Sequence, residues 1–352
     1  MSNSRSLFPG AMGPDGFISC FDHLIEDDVL TRKLILKGGP GVGKSTFMRR
    51  IHAALCPDGQ PSTLYFCSGD PDSLDAVAIP YKGLLILDGT APHIVDPHYP
   101  GARDSIINLG DYLDEAAMRP RLKHIRAIMA DHAAAMRRAT ACLKAAAPLA
   151  RDNAAIISSA LDETKLKRMT HALIDSVLCD AVPEPTQSPS VRPVITDAVT
   201  LKGEICLLKE GDAQRVIRVT GHYAMDFTPM LRAVSSAAQA KGIRVEEHLN
   251  PLVPGQLLHI TLPDSGTLIT TSDCLPSEQL FDFSVCLPQG SLLRHECTLE
   301  QGRAGVRLHI HRAICALQNA KQLHDELETF YVPCMDFGSW QQRLDKTLAS
   351  LA

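Results

Sequence analysis

The chain has 352 residues, room for two ordinary domains, and its 45% apolar and 21% charged residues place it in the soluble globular class. A net charge of -5 gives no global attraction to nucleic acid, and no apolar run approaches the ~20 residues of a membrane span. Eleven cysteines with no C-x-x-C or other close metal-like pair, and no signal peptide, point to reduced thiols in a cytoplasmic protein.

The polar first six residues are expected to fray. Residues 32–37, Arg-Lys-Leu-Ile-Leu-Lys, predict a short apolar strand. Gly38, Gly39, Pro40, Gly41, Val42, Gly43, Lys44, Ser45 and Thr46 follow, and then a helical face of Phe47, Met48, Ile51 and Leu55. This is G-x-x-x-x-G-K-[ST] in the strand-to-helix setting that the motif requires. Glycines let the backbone close on phosphate oxygens, and a helix N-terminus offers unpaired N–H groups and a positive dipole end. Lys44 is expected to reach the β- and γ-phosphates, and Ser45 to put its hydroxyl on Mg²⁺. The expected ligand is a nucleoside triphosphate; no guanine-reading Asn-Lys-x-Asp string occurs, so ATP is the expected base form.

The run Gly83-Leu84-Leu85-Ile86-Leu87-Asp88 has the form of a buried parallel strand ending at a ligand edge, with Asp88 as the second magnesium ligand. Gly89 follows it, where efficient hydrolases of this type often carry a Glu to orient water. Slow hydrolysis, phosphoryl transfer to another acceptor, or a base from elsewhere all stay open. Asp70, Asp72 and Asp75 follow a predicted strand at Thr63–Cys67; they read as a helix-capping turn or as a hold on an acceptor or second metal. His93, Asp96 and His98 lie on the loop after Asp88 and read as loop structure or as groups reaching the γ-phosphate.

Leu122, Ile125, Met129, His132, Met136, Ala139 and Leu143 form a heptad stripe, which Pro148 is expected to interrupt. Leu166, Met169, Leu173 and Val177 continue an apolar face, predicting a helical hairpin on the sheet. Its basic residues are offset by nearby acids and lack aromatic interleaving, which argues against nucleic acid. Residues 181–191 are rich in Pro and Ser and read as a semi-extended linker.

A shift of 183 residues lays the first half over the second. Arg32 matches Arg215, Gly38 Gly221, Arg49 Arg232, Gly59 Gly242, Pro80 Pro263 and Gly83 Gly266; upstream the shift is 187, with Arg5 on Arg192 and Gly16 on Gly203. Turn formers and strand cores match, which is where a shared fold constrains sequence most. The phosphate chemistry does not carry over: Gly43 becomes Asp226, Lys44 becomes Phe227 and Asp88 becomes Thr271, while Ser45 becomes Thr228. A second helical region is expected from about Arg307 to Tyr331, with a short helix from Ser339. There His324 shares a face with Leu327 and Tyr331 and has Glu328 as its i+4 neighbour; it reads as a packed histidine beside solvated acids, or as part of a site composed across both halves.

Several strings resemble a poorly characterised bacterial family of tandem P-loop ATPases: residues 36–46, Asp70-Pro71-Asp72-Ser73-Leu74-Asp75, Leu87-Asp88-Gly89-Thr90-Ala91-Pro92-His93, Tyr99-Pro100-Gly101, His324-Asp325-Glu326-Leu327-Glu328 and Met335-Asp336-Phe337. The resemblance implies ATP binding and two P-loop halves, and this chain departs from it at Asp226 and Phe227. The expected architecture is α/β: a P-loop NTPase domain with a helical arm at 1–180, a linker at 181–191, and a degenerate P-loop-like domain with its own arm at 192–352, each built on a parallel sheet. The expected activity is slow or partner-stimulated Mg-ATP hydrolysis, with a protein or small-molecule partner; a small-molecule or nucleotide kinase is the alternative.

Overall fold

The computed structural model describes residues 4–25, 29–90, 94–179 and 190–351. Most of the expected linker lies outside them, and Val191 already begins a strand. Residues 4–6 do not fray, because they pair in register with Ser62–Leu64.

The first half opens with β1 (Ser4–Leu7), the hairpin β2 (Gly10–Gly13) and β3 (Gly16–Ser19), and the short α1 (Phe21–Ile25). Then come β4 (Arg32–Lys37), α2 (Lys44–Leu55), β5 (Ser62–Phe66), β6 (Leu74–Ile79), β7 (Leu84–Asp88) and β8 (Asp104–Asn108). They form a six-stranded sheet in the order β1-β5-β6-β7-β4-β8. The one-turn α3 (Glu115–Met118), α4 (Leu122–Ala160) and α5 (Glu163–Leu178) complete this half.

The second half repeats the plan. It has β9 (Val191–Val194), the hairpin β10 (Asp197–Thr200) and β11 (Gly203–Cys206), β12 (Arg215–Thr220), α6 (Thr228–Ala240), β13 (Val245–Leu249), β14 (Leu257–Leu262), β15 (Thr267–Thr270) and β16 (Gln279–Asp282). The sheet order is β16-β12-β15-β14-β13-β9, which is the first sheet element for element. Two long helices end the chain, α7 (Glu296–Tyr331) and α8 (Phe337–Leu351).

Both sheets are mixed rather than parallel. Strand β6 runs antiparallel to β5 and β7, and β14 to β13 and β15. The connections at 67–73 and 80–83 are too short for the crossover that parallel neighbours need. The reversal has a consequence for the site: the start of β6 lies at the same sheet edge as the end of β7. One face of the first sheet packs Leu34, Leu36 and Ile86 on Phe47, Met48 and Ile51 of α2, while Ile35, Leu85 and Leu87 pack on Phe21 and Leu24 of α1.

The helical arms depart from a hairpin on its own sheet. Helix α4 runs unbroken for 39 residues, ~58 Å at 1.5 Å per residue. Pro148 sits inside it on the exposed side. The roughly 3 kcal/mol that an interior proline costs is offset by burial along a partner helix. That partner is α7, antiparallel to α4 and longer than the expected Arg307–Tyr331. Ala139 and Leu143 pack with Ile310, Ala313 and Leu317, and Asn153 donates from Nδ2 to the Leu299 carbonyl at 3.0 Å. Of the expected stripe, Ile125, Ala139 and Leu143 are buried while Leu122 and Met129 are exposed; Ile128, Ala135 and Cys142 complete the buried line.

Each arm crosses to the other half. Leu173 and Val177 of α5 enter the core of the second sheet with Leu231 and Val234 of α6 and Ile217 of β12. Reciprocally, Trp340, Leu344 and Leu351 of α8 enter the core of the first sheet with Phe47, Met48 and Ile51. Among the described residues no helix is long and apolar enough to cross a membrane.

This exchange makes the two cores separately addressable. Leu173→Ala and Leu344→Ala should each cost about 2–5 kcal/mol. Hydrogen exchange should then speed up in α6 and β12 for the first variant and in α2 and β4 for the second. The opposite pattern would show arms packed on their own sheets.

Candidate functional site

The loop at 38–43 joins β4 to α2 across the edge where β4, β7 and β8 end. Gly38, Gly41 and Gly43 have φ of 145°, 68° and 84°, values that side chains beyond glycine rarely adopt. Gly43 is the N-cap of α2, and no side chain caps that helix, so its first N–H groups face the loop. Lys44 begins the helix, two residues before Thr46, which is exposed. The Lys44 ammonium donates to the carbonyls of Gly38 and Gly39 at 2.8 and 3.0 Å and stands 3.6 Å from Asp88 Oδ2. Val42 is buried beneath Gly38, and Pro40 holds the crest between Gly39 and Gly41.

Asp88 ends β7 in register with Leu36, on the strand directly beside β4. Its Oδ1 accepts from the Thr90 N–H at 2.8 Å and from the Thr90 hydroxyl. Ser45 Oγ accepts from the Leu74 N–H at 3.0 Å. Thr228 makes the same bond to the Leu257 N–H at 2.9 Å in the second half. This hydroxyl therefore ties the first helical turn to the sheet whether or not the loop binds phosphate. It keeps its own proton and a second lone pair for other partners.

Antiparallel β6 brings Asp75 beside Asp88, since Ala76 pairs with Leu87. Burial first, and then the Asp88 charge, push the Asp75 carboxyl up to about 7, with Lys44 offsetting part of this. The other expected acids are engaged elsewhere. Asp70 accepts from Lys321 of α7 at 3.5 Å, and Asp72 from Lys202 of the β10–β11 turn at 2.5 Å. Asp96 is exposed and pairs with Lys37 at 3.1 Å. His98 is exposed; its backbone N–H donates to buried Asp104 at 2.7 Å, so His98 and Asp96 are not brought together as a site. His93 lies outside the described residues.

Further groups come from the far end of the chain, His324 and Glu328 among them, which lie beside the first loop as the composite alternative required. Helix α7 ends on the loop: a Cβ on Gly39 would lie 3.0 Å from the Tyr331 ring, and one on Gly41 2.8 Å from Val332 and 3.5 Å from Glu328. The Glu328 side chain packs against Gly41, and His324 Nε2 lies 3.4 Å from its carboxylate. The His324 bond first, with the His324 charge, Lys321 and Gly41 assisting, holds the Glu328 carboxyl below its ordinary value against the opposing effect of burial. His132 of α4 faces His324 with ring centres 6.3 Å apart. Trp340, the single tryptophan, lies against Gly43 and meets Phe47 edge-on at 5.6 Å. Lys321 and Trp340 carry no local signal; only the exchange of arms makes them neighbours of the loop.

The corresponding loop in the second half is filled by its own side chains. A Cβ on Gly221 would lie 2.8 Å from Met225 Sδ, and Phe227 meets Phe283 edge-on at 6.0 Å. Asp226 Oδ1 accepts from the Thr228 N–H at 2.9 Å, placing a carboxylate at the start of α6. The Tyr223 hydroxyl reaches the Leu299 carbonyl at 2.9 Å.

No family model, curated protein or solved structure matches this chain.

Asp75 gives the site a pH signature. The unfolded carboxyl releases its proton near 4, whereas the folded one keeps it to about 7. Between these values the unfolded state binds fewer protons, so this contribution to stability is full below about 4 and is lost as pH rises through 7. Urea midpoints of the wild type should therefore fall relative to Asp75→Asn across that window; a constant difference would contradict the assignment.

Proposed function

We propose that the first half binds Mg-ATP on Gly38–Thr46 and works as a slow or partner-stimulated ATPase whose nucleotide state is read by α7. One observation carries this reading: three positive-φ glycines, an uncapped helix start and the Lys44 ammonium meet in one loop, with the Glu328 side chain packed against Gly41. The donor set fits a polyphosphate, with glycine N–H groups, an uncapped helix start and the Lys44 ammonium converging. Asp88 and the Ser45 hydroxyl would hold Mg²⁺, with Asp75 as the neighbouring acid. Bound Mg-ATP would supply a phosphoanhydride whose γ-phosphoryl group passes to water.

The chain's own residues then have defined work. Lys44 exchanges its contacts to the Gly38 and Gly39 carbonyls for phosphate oxygens. Glu328 packs on Gly41 and its charge would oppose a second anion there, so it leaves the loop when the loop fills. Its departure shifts the end of α7, and the α4–α7 seam links that end to the second sheet. Gly89 supplies no base after Asp88, and Glu328 with His324 is the acid–imidazole pair closest to the loop. The kinase alternative would use Asp70 or Asp72 on an acceptor; their ion pairs to Lys321 and Lys202 favour the ATPase. Membership of the tandem ATPase family is part of the same proposal.

Trp340 provides the readout, because it touches the loop at Gly43. ATP with Mg²⁺ should change its fluorescence. Lys44→Ala should weaken binding more than about tenfold, a loss above ~1.4 kcal/mol. Glu328→Gln should bind ATP several-fold more tightly, having lost the competing charge. Unchanged affinity in both variants would refute the site, and phosphate appearing on an added metabolite instead of in solution would establish the kinase.

A further inference from the structure

The face of the second sheet remote from α6 has changed its chemistry relative to the first half. There Tyr65, Ala76, Ala78 and Leu87 form an apolar layer against α1. At the matching positions stand His248, His259, Thr261 and Thr270, all buried. On the hairpin above them, Gly10 and Ser19 are matched by Asp197 and Cys206. Burying so many polar groups is unfavourable unless each is paired.

Pairing is complete along one chain of bonds. Thr261 Oγ1 meets His248 Nε2 at 2.8 Å, His248 Nδ1 meets Thr196 Oγ1 at 2.9 Å, and Thr196 donates to Asp197 Oδ2 at 2.8 Å. Asp197 Oδ2 lies 2.9 Å from His259 Nε2, whose Nδ1 lies 2.8 Å from Thr270 Oγ1. The chain converges on three ligand-type atoms: those of Asp197, Cys206 and His259 lie within 4.8 Å of one another. Cys274, in an exposed loop, stands outside that group of three but brings its Sγ to 3.8 Å from that of Cys206.

We propose that Asp197, Cys206, His259 and Cys274 form a four-coordinate site for a borderline-soft divalent transition metal, zinc by ligand type. Two sulfurs on one tetrahedral zinc stand about 3.8 Å apart when each Zn–S bond is ~2.3 Å, which is the separation seen here. The outer contacts also suit it. Thr270 Oγ1 can accept a proton held on His259 Nδ1, leaving Nε2 to ligate, at the expense of the long 3.3 Å contact from the Thr271 N–H. The Leu208 N–H points to Cys206, and the Ser272 hydroxyl lies 3.0 Å from Cys274 Sγ. Cys274 and the quarter-exposed Asp197 leave a path from solvent.

Four protein ligands make a closed, structural site. It would clip the β10–β11 hairpin and the loop at 271–275 to the sheet, and Lys202 at the hairpin turn is the partner of Asp72 beside the first loop. Sequence spacing hides the site, because Cys206 and Cys274 are 68 residues apart.

Co²⁺ titration of the reduced full-length chain, with Zn²⁺ competition, tests this. One equivalent should bind, with the strong visible bands of tetrahedral cobalt and a thiolate charge-transfer band, and Zn²⁺ should displace it. Cys206→Ser and Cys274→Ser should each diminish the charge-transfer band, and Asp197→Asn and Cys274→Ser should weaken binding at least tenfold. These two side chains are solvent-accessible, so the test survives if the variants at Cys206 or His259 do not fold. Cys297→Ser, an exposed thiol on α7, should bind like wild type. Failure to bind one equivalent, binding that ignores Asp197→Asn and Cys274→Ser, or a Cys206–Cys274 disulfide in protein isolated anaerobically would each overturn the proposal.

Discussion

The structure depends on one reciprocal constraint: neither sheet can bury its helix-bearing face without a helix from the other half. On the first sheet, Trp340, Leu344 and Leu351 close the layer begun by Phe47, Met48 and Ile51. On the second, Leu173 and Val177 close the layer begun by Leu231 and Val234. Burial of a Leu or Trp side chain is worth about 1.5–3 kcal/mol, so several such residues at each end outweigh the strain at Pro148 and the ordering of two very long helices. The chain is therefore doubled in sequence but single in its core. A perturbation that lifts α8 from α2 is felt at the start of α2, where Trp340 lies against Gly43 of the glycine loop.

The same constraint decides which residues can act at that loop. An arm packed on its own sheet would bring the end of α4 and the start of α5 near the loop. The exchange instead delivers Lys321, His324, Glu328, Tyr331 and Trp340 to it. The second half, whose own loop is filled by Met225 and Phe227, thus places an acid and an imidazole, Glu328 and His324, beside the first loop.

What was legible in the sequence follows from range. The loop at 38–46 is a local pattern in which Gly38, Gly41 and Gly43 each answer a local φ requirement, and the repeat is visible because turns and strand cores recur at a fixed shift. Strand direction was less legible: Leu84–Leu87 reads as a continuous apolar run because it is buried on both faces, and that burial is the same whether its neighbour β6 runs parallel or antiparallel. Short connections at 67–73 and 80–83 were the signal for antiparallel pairing. The exchange of arms was not legible at all, because an apolar helical face specifies burial and not its partner. Pro148 misled for a related reason, since local propensity is a weak prior once tens of residues on either side are packed.

The repeat also supplies an internal control that a single domain lacks. Two copies of one fold have the same backbone need at matched positions, so a difference between them measures something other than folding. Where Leu87 and Ala76 suffice to close the first sheet, Thr270 and His259 require a full set of partners to achieve no better closure. Such a layer is harder to satisfy than an apolar one and gains nothing in packing. By that reasoning the Asp197–His259–Cys206 cluster and the Glu328–His324 pair are the two departures from the repeat that packing does not explain. The first stands on the hairpin whose Lys202 holds Asp72, the second on the helix whose Lys321 holds Asp70, so both meet the first half at the loop that follows β5.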